Sequence, residues 1–311
     1  MTAPRSWTYG TQLPVQMLST AIADPWEAAA TVDDLVTTAR RAEATGHDFV
    51  GVCDHVALPD DAAARMGTTW FDTVATLGFL AAHTTSVRLC STVYVAAYRH
   101  PLQTAKAFGT LDHLSGGRVI LGVGAGHVAG EFAALGVPFA ERGRILDETL
   151  AALRGVWDDE FVSFTGDRYG YDRVGVGPRP AAGSVPIWVG GMTPAAWRRV
   201  GRFGDGLIPM GNPLDQYPEI IATVRAAAAA AGRADAPIAI GGGVGAMNLT
   251  GGDVDGLLPV SLRTPDAAAD AIRAALAVGI DVVHLRFRAR SLSEYLEQFD
   301  AFAETVVPLV G

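Results

Sequence analysis

Lysine is almost absent from this chain of 311 residues: among its 24 basic side chains only Lys106 is a lysine. A Schiff-base mechanism, or a phosphate site built from several ammonium groups, would have to rest on that one residue or on arginine. The two cysteines, Cys53 and Cys90, cannot form a disulfide framework, and neither stands in a CxxC pair. No apolar run approaches the roughly 20 residues a bilayer crossing needs. The stretch from Met1 to Gly10 has no basic segment followed by an apolar one. Basic charge is outnumbered, 24 Lys+Arg against 33 Asp+Glu, so the footprint expected for nucleic acid or an anionic lipid surface is missing. None of the 10 serines lies in GxSxG, and HExxH is absent, which removes two hydrolase readings. Neither clustered carboxylates nor metal-ligand spacing occurs at the candidate site, so no metal is expected there. These absences leave a cytoplasmic globular protein with a small-molecule ligand, no nucleic-acid partner and no membrane contact.

What the chain does hold is core-forming material, with 49% hydrophobic residues, 36 Gly and 17 Pro. Continuous apolar runs at Thr8–Val15, Phe49–Asp54, Val87–Val93, Val119–Gly124, Pro186–Gly190, Gly206–Met210, Ile238–Val244 and Val282–Phe287 read as parallel strands covered on both faces. Amphipathic segments separate them: Val32–Ala44, Trp70–Ala82, Leu102–Leu114, Arg144–Trp157, Pro194–Phe203, Leu214–Ala231, Pro265–Val278 and Leu292–Val307. Eight strand-and-helix units with short links predict a single α/β domain over 1–311, a (β/α)8 TIM barrel, with a doubly wound open sheet as the competing architecture. One stretch breaks the rhythm. Residues 158–185, rich in Gly and Pro, read as an irregular insertion between the fourth helix and fifth strand, over the barrel mouth.

In such a barrel the active site is assembled just beyond the C-terminal ends of the strands. Asp54 and His55 end the second; the imidazole of His55 can donate to a ligand or move a proton, or it can be a structural hydrogen-bonding residue. Gly122, Gly124 and Gly126 form a glycine turn after the fourth strand. Read as GxGxxA it also fits a dinucleotide fingerprint, but Asp147 and Glu148 fall within a helix rather than at the strand end where the fingerprint wants its acid. At Gly190, Gly191, Met192, Thr193 and Pro194 a strand passes into a helix whose N-cap would be Thr193. Its free N–H groups suit a phosphate, though an ordinary tight turn has the same residues. Arg286 and Arg288 bracket Phe287 after the last strand; they would clamp an anionic group or pair with carboxylates.

His100-Pro101, Lys106, Thr110-Leu111-Asp112, Leu114 to Arg118, Leu121 to Gly126, Glu131-Phe132, Leu135-Gly136, Pro186 to Gly191, Gly204-Asp205-Gly206 and the closing helix resemble the luciferase-like monooxygenase superfamily over nearly the whole chain. Asp54-His55 resembles its branch that uses the deazaflavin coenzyme F420. The resemblance implies a (β/α)8 barrel with a flavin or deazaflavin at its mouth. It implies a bulge with a non-prolyl cis peptide at Thr92-Val93 behind the ring, Gly190 and Gly191 at the cofactor phosphate, and Gly126 and His127 beside the ring. His127 stands where the sugar-phosphate-oxidising members have a carboxylic acid, and no lysine follows Lys106, so glucose 6-phosphate-type chemistry is not expected.

The reading that follows is an F420-dependent oxidoreductase moving a hydride between the cofactor and an unidentified small organic substrate. His55 and His127 are the catalytic candidates; Asp54, Thr92, Val93, Gly124, Gly126, Gly190, Gly191, Met192 and Thr193 complete the cofactor site. Two rivals stand beside it: an FMN-dependent monooxygenase supplied with reduced flavin by a partner reductase, and a non-catalytic flavin-binding barrel. A homodimer is expected from related barrels.

Overall fold

The computed structural model describes residues 5–256 and 258–311. All eight sequence-predicted strands form: β1 (Thr8–Gln12), β2 (Phe49–Val52), β3 (Arg88–Ser91), β4 (Val119–Gly124), β5 (Ile187–Gly190), β6 (Gly206–Ile208), β7 (Ala239–Met247) and β8 (Val282–Phe287). Each pairs in parallel with the next. The β1–β8 pairing, Thr8↔Val282 through Thr11↔Leu285, closes the ring. An open sheet is thereby excluded. Closure satisfies both backbone edges of every strand, and the helices cover the outer face, which is why the strand sequences read as unbroken apolar runs.

The barrel interior is filled by a few large side chains facing glycines. Phe49, Cys90, Ile120, Trp188, Ile208 and Val282 form the inner cluster. A Cβ at Gly206 would lie 2.6 Å from the Trp188 ring, and one at Gly10 would run into Phe49. His284 packs into the same space, its ring 4.8 Å from Phe49 and 6.3 Å from Trp188. Burial pushes its imidazole down to about 3, so it is neutral at physiological pH.

Helices Val32–Ala44 and Pro194–Phe203 have the predicted bounds, each capped by a threonine side chain, Thr31 and Thr193. The short helix Asp60–Met66 occupies a stretch the sequence pattern leaves as a loop, because seven residues are too few to display a period, whereas Ala129–Ala134 falls in the apolar stretch His127 to Gly136 that reads as helix. The excursion before β5 is more ordered than its Gly and Pro content suggests. It contains an antiparallel hairpin, Val162–Thr165 with Gly170–Val174. Its turn is held by Glu148, which accepts from the backbone N–H of Arg168 at 2.9 Å and of Tyr169 at 2.7 Å. Tyr169 meets the His100 ring edge-on at 4.9 Å. No helix among the described residues is long and apolar enough to cross a membrane.

Candidate active site

The chain leaving β3 sets the floor of the mouth. The Thr92–Val93 peptide is cis, as the resemblance implies. Val93 then points between two strand ends: a Cβ at Gly124 would stand 2.5 Å from its Cγ2, and one at Gly190 2.8 Å from its Cγ1. Any other residue at either glycine would displace Val93. The neighbouring Thr92 hydroxyl is buried against Gly51 and has no partner among the described residues. Gly126 adopts φ +78°, a left-handed conformation that glycine takes without strain, and lies against Phe132.

His55 stands just beyond β2 and Glu131 on the short helix Ala129–Ala134; together they are the electrostatic centre of the rim. His55 Nδ1 lies 2.8 Å from Glu131 Oε2, with their side chains 9% and 0% exposed. The same carboxylate accepts from the backbone N–H of Val56 and Ala57 and from the Tyr98 hydroxyl at 2.8 Å. Burial alone would raise the Glu131 carboxyl, but these donors outweigh it and hold the group at about 2. Ionised, it can only accept, so Nδ1 of His55 carries the proton and Nε2 is left for a ligand. Trp70 packs edge-on against the His55 ring at 4.4 Å, and the His127 ring lies 5.6 Å from it. Desolvation, then the neighbouring His55, push His127 below the ordinary imidazole value. A cavity of about 340 Å³ opens here, lined by His55, Val56, Trp70, Asp72, Tyr98, Arg99 and Leu135. A larger cleft of about 530 Å³, lined by Glu148, Arg168 and Arg202 among others on the outer helices and the hairpin, shares none of these residues.

Asp54 has a different environment from its neighbour. It is buried, accepts from the Val95 N–H at 2.8 Å, and forms a two-oxygen ion pair with Arg99. Its carboxylate therefore pins the loop that follows Val93. Arg99 in turn covers the Tyr94 ring at 4.2 Å. Across the mouth, Thr193 caps its helix, accepting from the Ala196 N–H at 3.4 Å, and Met192 is exposed beside it. Arg288 takes the structural alternative: it is buried in an ion pair with Asp24.

The sequence candidates thus fall into two groups around one mouth. His55 and His127 converge with Trp70 and Glu131, while Val93 lies between Gly124 and Gly190. The partner that orders His55 was hidden, because Glu131 sits in an apolar stretch, His127 to Gly136, that reads as helix packing. A carboxylate in a run of Ala, Phe and Gly was the available signal.

A model of the luciferase-like monooxygenase family matches residues 14–246. An uncharacterized protein of Mycobacterium tuberculosis is 29% identical over 287 residues, covering 88% of this chain and 95% of its own. An F420-dependent glucose-6-phosphate dehydrogenase of Amycolatopsis mediterranei is 34% identical over 194 residues, 60% of this chain and 56% of that protein. Among solved structures, an F420-dependent secondary alcohol dehydrogenase superposes with a TM-score of 0.79 at 19% identity, covering 98% of this chain and 99% of the other. The monooxygenase RslO1 from Streptomyces bottropensis does so with a TM-score of 0.76 at 22% identity, covering 98% and 100%. At these identities the structural likeness concerns the fold.

Proposed function

This chain belongs to the luciferase-like monooxygenase family, and from that premise we propose that it is an oxidoreductase in which coenzyme F420 and a small organic substrate exchange a hydride at the barrel mouth. When bound, the deazaflavin supplies the ring carbon that gives or takes the hydride, chemistry that no side chain of the protein offers. The observation that carries the reading is the rim itself: an apolar floor at Val93, cleared on both sides by glycine, with an imidazole of fixed tautomer on the same rim. The residues fit such a group, since Gly124 and Gly190 leave the room in which Val93 seats as an apolar floor and the Thr92 hydroxyl has no partner among the described residues. The F420-dependent relative supports the choice of cofactor.

In this reading Thr92 and Val93 support the ring, with Gly124 leaving room for Val93 and Gly126 making the turn beside the ring. Gly190, Gly191, Met192 and Thr193 hold the phosphate at the start of their helix, through backbone N–H groups and the helix dipole. His55 presents Nε2 to the substrate oxygen and takes or returns its proton, while Glu131 stabilises the imidazolium so formed. His127, favoured as the neutral base by its surroundings, takes the second proton position. Asp54 acts through Arg99 and the loop after Val93. The hairpin before β5 borders the mouth through Tyr169 and His100.

Anaerobic titration of the purified protein tests this. Quenching of F420 fluorescence with a dissociation constant at least about tenfold below that for FMN is the expected result. A second reading is a monooxygenase, as the fold neighbour RslO1 is named, with FMN as its cofactor. Tighter FMN binding, with oxygen-dependent product formed from flavin reduced by a separate reductase, would replace the first reading with the second.

A further inference from the structure

Arg286 and Arg288 flank Phe287, and the fold gives them different fates. Side chains alternate along β8: Val282 belongs to the interior cluster and His284 packs on Phe49 and Trp188, so Arg286 enters the same inner face one layer higher, at the mouth. Arg288, 1% exposed, has its charge met by Asp24, whose second oxygen accepts from the Ala289 N–H at 2.8 Å. Arg286 makes no ion pair among the described residues. Its Nη2 donates to the Ile22 carbonyl, and its Nε is buried with no acceptor among the described residues. Glu27 senses its charge but has its carboxylate occupied by the backbone N–H groups of Val15 at 2.8 Å and Asp24 at 2.7 Å.

On the adjacent strand, Gln12 ends β1 one step beyond the Thr11↔Leu285 pair, beside Arg286. Among the described residues its amide N–H groups contact only sulfur: Met17 Sδ at 3.4 Å and Cys53 Sγ at 3.3 Å. Thioether and thiol are weak acceptors. An uncompensated guanidinium and a donor amide offered only to sulfur, side by side at the open end of the barrel, make a donor set that lacks its oxygen. A carboxylate satisfies both groups at once, its two oxygens matching the guanidinium fork. A neutral alcohol or ketone would leave the charge uncompensated.

We infer that Arg286 and Gln12 bind a carboxylate, and, resting on the redox reading above, that the substrate is an organic acid. The same anionic oxygen could come from the tail of the cofactor, so the experiment separates the two sources. Full-length wild type, Arg286→Gln and Arg286→Lys are titrated calorimetrically, without cofactor, with straight-chain 2-oxo acids from pyruvate to 2-oxooctanoate and with methyl ketones of equal length. F420 affinity is measured separately. Wild type is expected to bind at least one acid about tenfold or more tightly than its ketone. Arg286→Gln should abolish that preference, Arg286→Lys should retain part of it, and neither should change ketone or F420 affinity. The inference is overturned if no acid outbinds its ketone, if Arg286→Gln keeps the preference, or if that variant loses F420 affinity alone, which would assign the anion to the cofactor. Should Arg286→Gln fail to fold, an Arg286→Lys protein that binds the acids as wild type does overturns it equally. Failure of F420 to bind would defeat the redox reading and leave the carboxylate result standing.

Discussion

Glu131 is a fully buried carboxylate held ionised by four donors, and everything His55 can do depends on it. Its group is held at about 2, below the ordinary value of 4.5. A depressed carboxyl stabilises the fold fully above about 4.5, and that contribution is lost as pH falls toward about 2. Replacing Glu131 with Gln keeps an oxygen for the Val56 and Ala57 N–H groups but offers an amide N–H to His55, reversing which ring nitrogen carries the proton. The expected result is a fall in kcat of about tenfold or more with F420 affinity unchanged, accompanied by a reversed imidazole tautomer in nitrogen NMR. A variant whose tautomer and kcat match wild type would show that Glu131 serves the fold alone. Glu131→Ala should instead cost about 2 kcal/mol or more in thermal or denaturant unfolding, since buried donors lose their acceptor. At this scale His55 was legible from its place at a strand end, where a barrel puts its chemistry. The role of Glu131 was not, because a hydrogen bond across 76 positions of sequence leaves no local trace.

At the scale of elements, the strands were readable because burial on both faces removes polar residues from them. The hairpin was not: its exposed faces alternate over only four or five residues and its glycines mask the period. The glycines of the strand ends serve two separate purposes, and substitution distinguishes them. A Cβ at Gly122 would strike the Ser91 carbonyl, a backbone atom that cannot yield, whereas one at Gly190 meets the Val93 side chain at 2.8 Å. Gly122→Ala should therefore destabilise the barrel by about 2 kcal/mol or more, seen as a lowered melting temperature. Gly190→Ala should melt within about 1 kcal/mol of wild type yet bind F420 about tenfold more weakly, because Val93 is pushed from its place. Unchanged F420 affinity in Gly190→Ala would count against Val93 as the floor of the cofactor site.

For the whole molecule, closure of the eight strands decides what function can be assembled. It brings residues from β2, β3, β4 and β5 to one rim, so that His55, Val93, Gly124 and Gly190, up to 135 positions apart, meet around a single mouth. The alternation of strands and helices announced that closure, and the family motifs reinforced it. The depth of the mouth and the separate fates of Arg286 and Arg288 follow from tertiary contacts that no periodicity encodes. A crystal structure of the F420 complex is the most direct measurement. It should show the deazaflavin ring against Thr92 and Val93, its phosphate at Gly191 to Thr193, and the His55 Nε2 side open to substrate. A cofactor seated instead in the 530 Å³ flank cleft beside Arg168 and Arg202, or a rim too closed to admit the ring, would contradict the account.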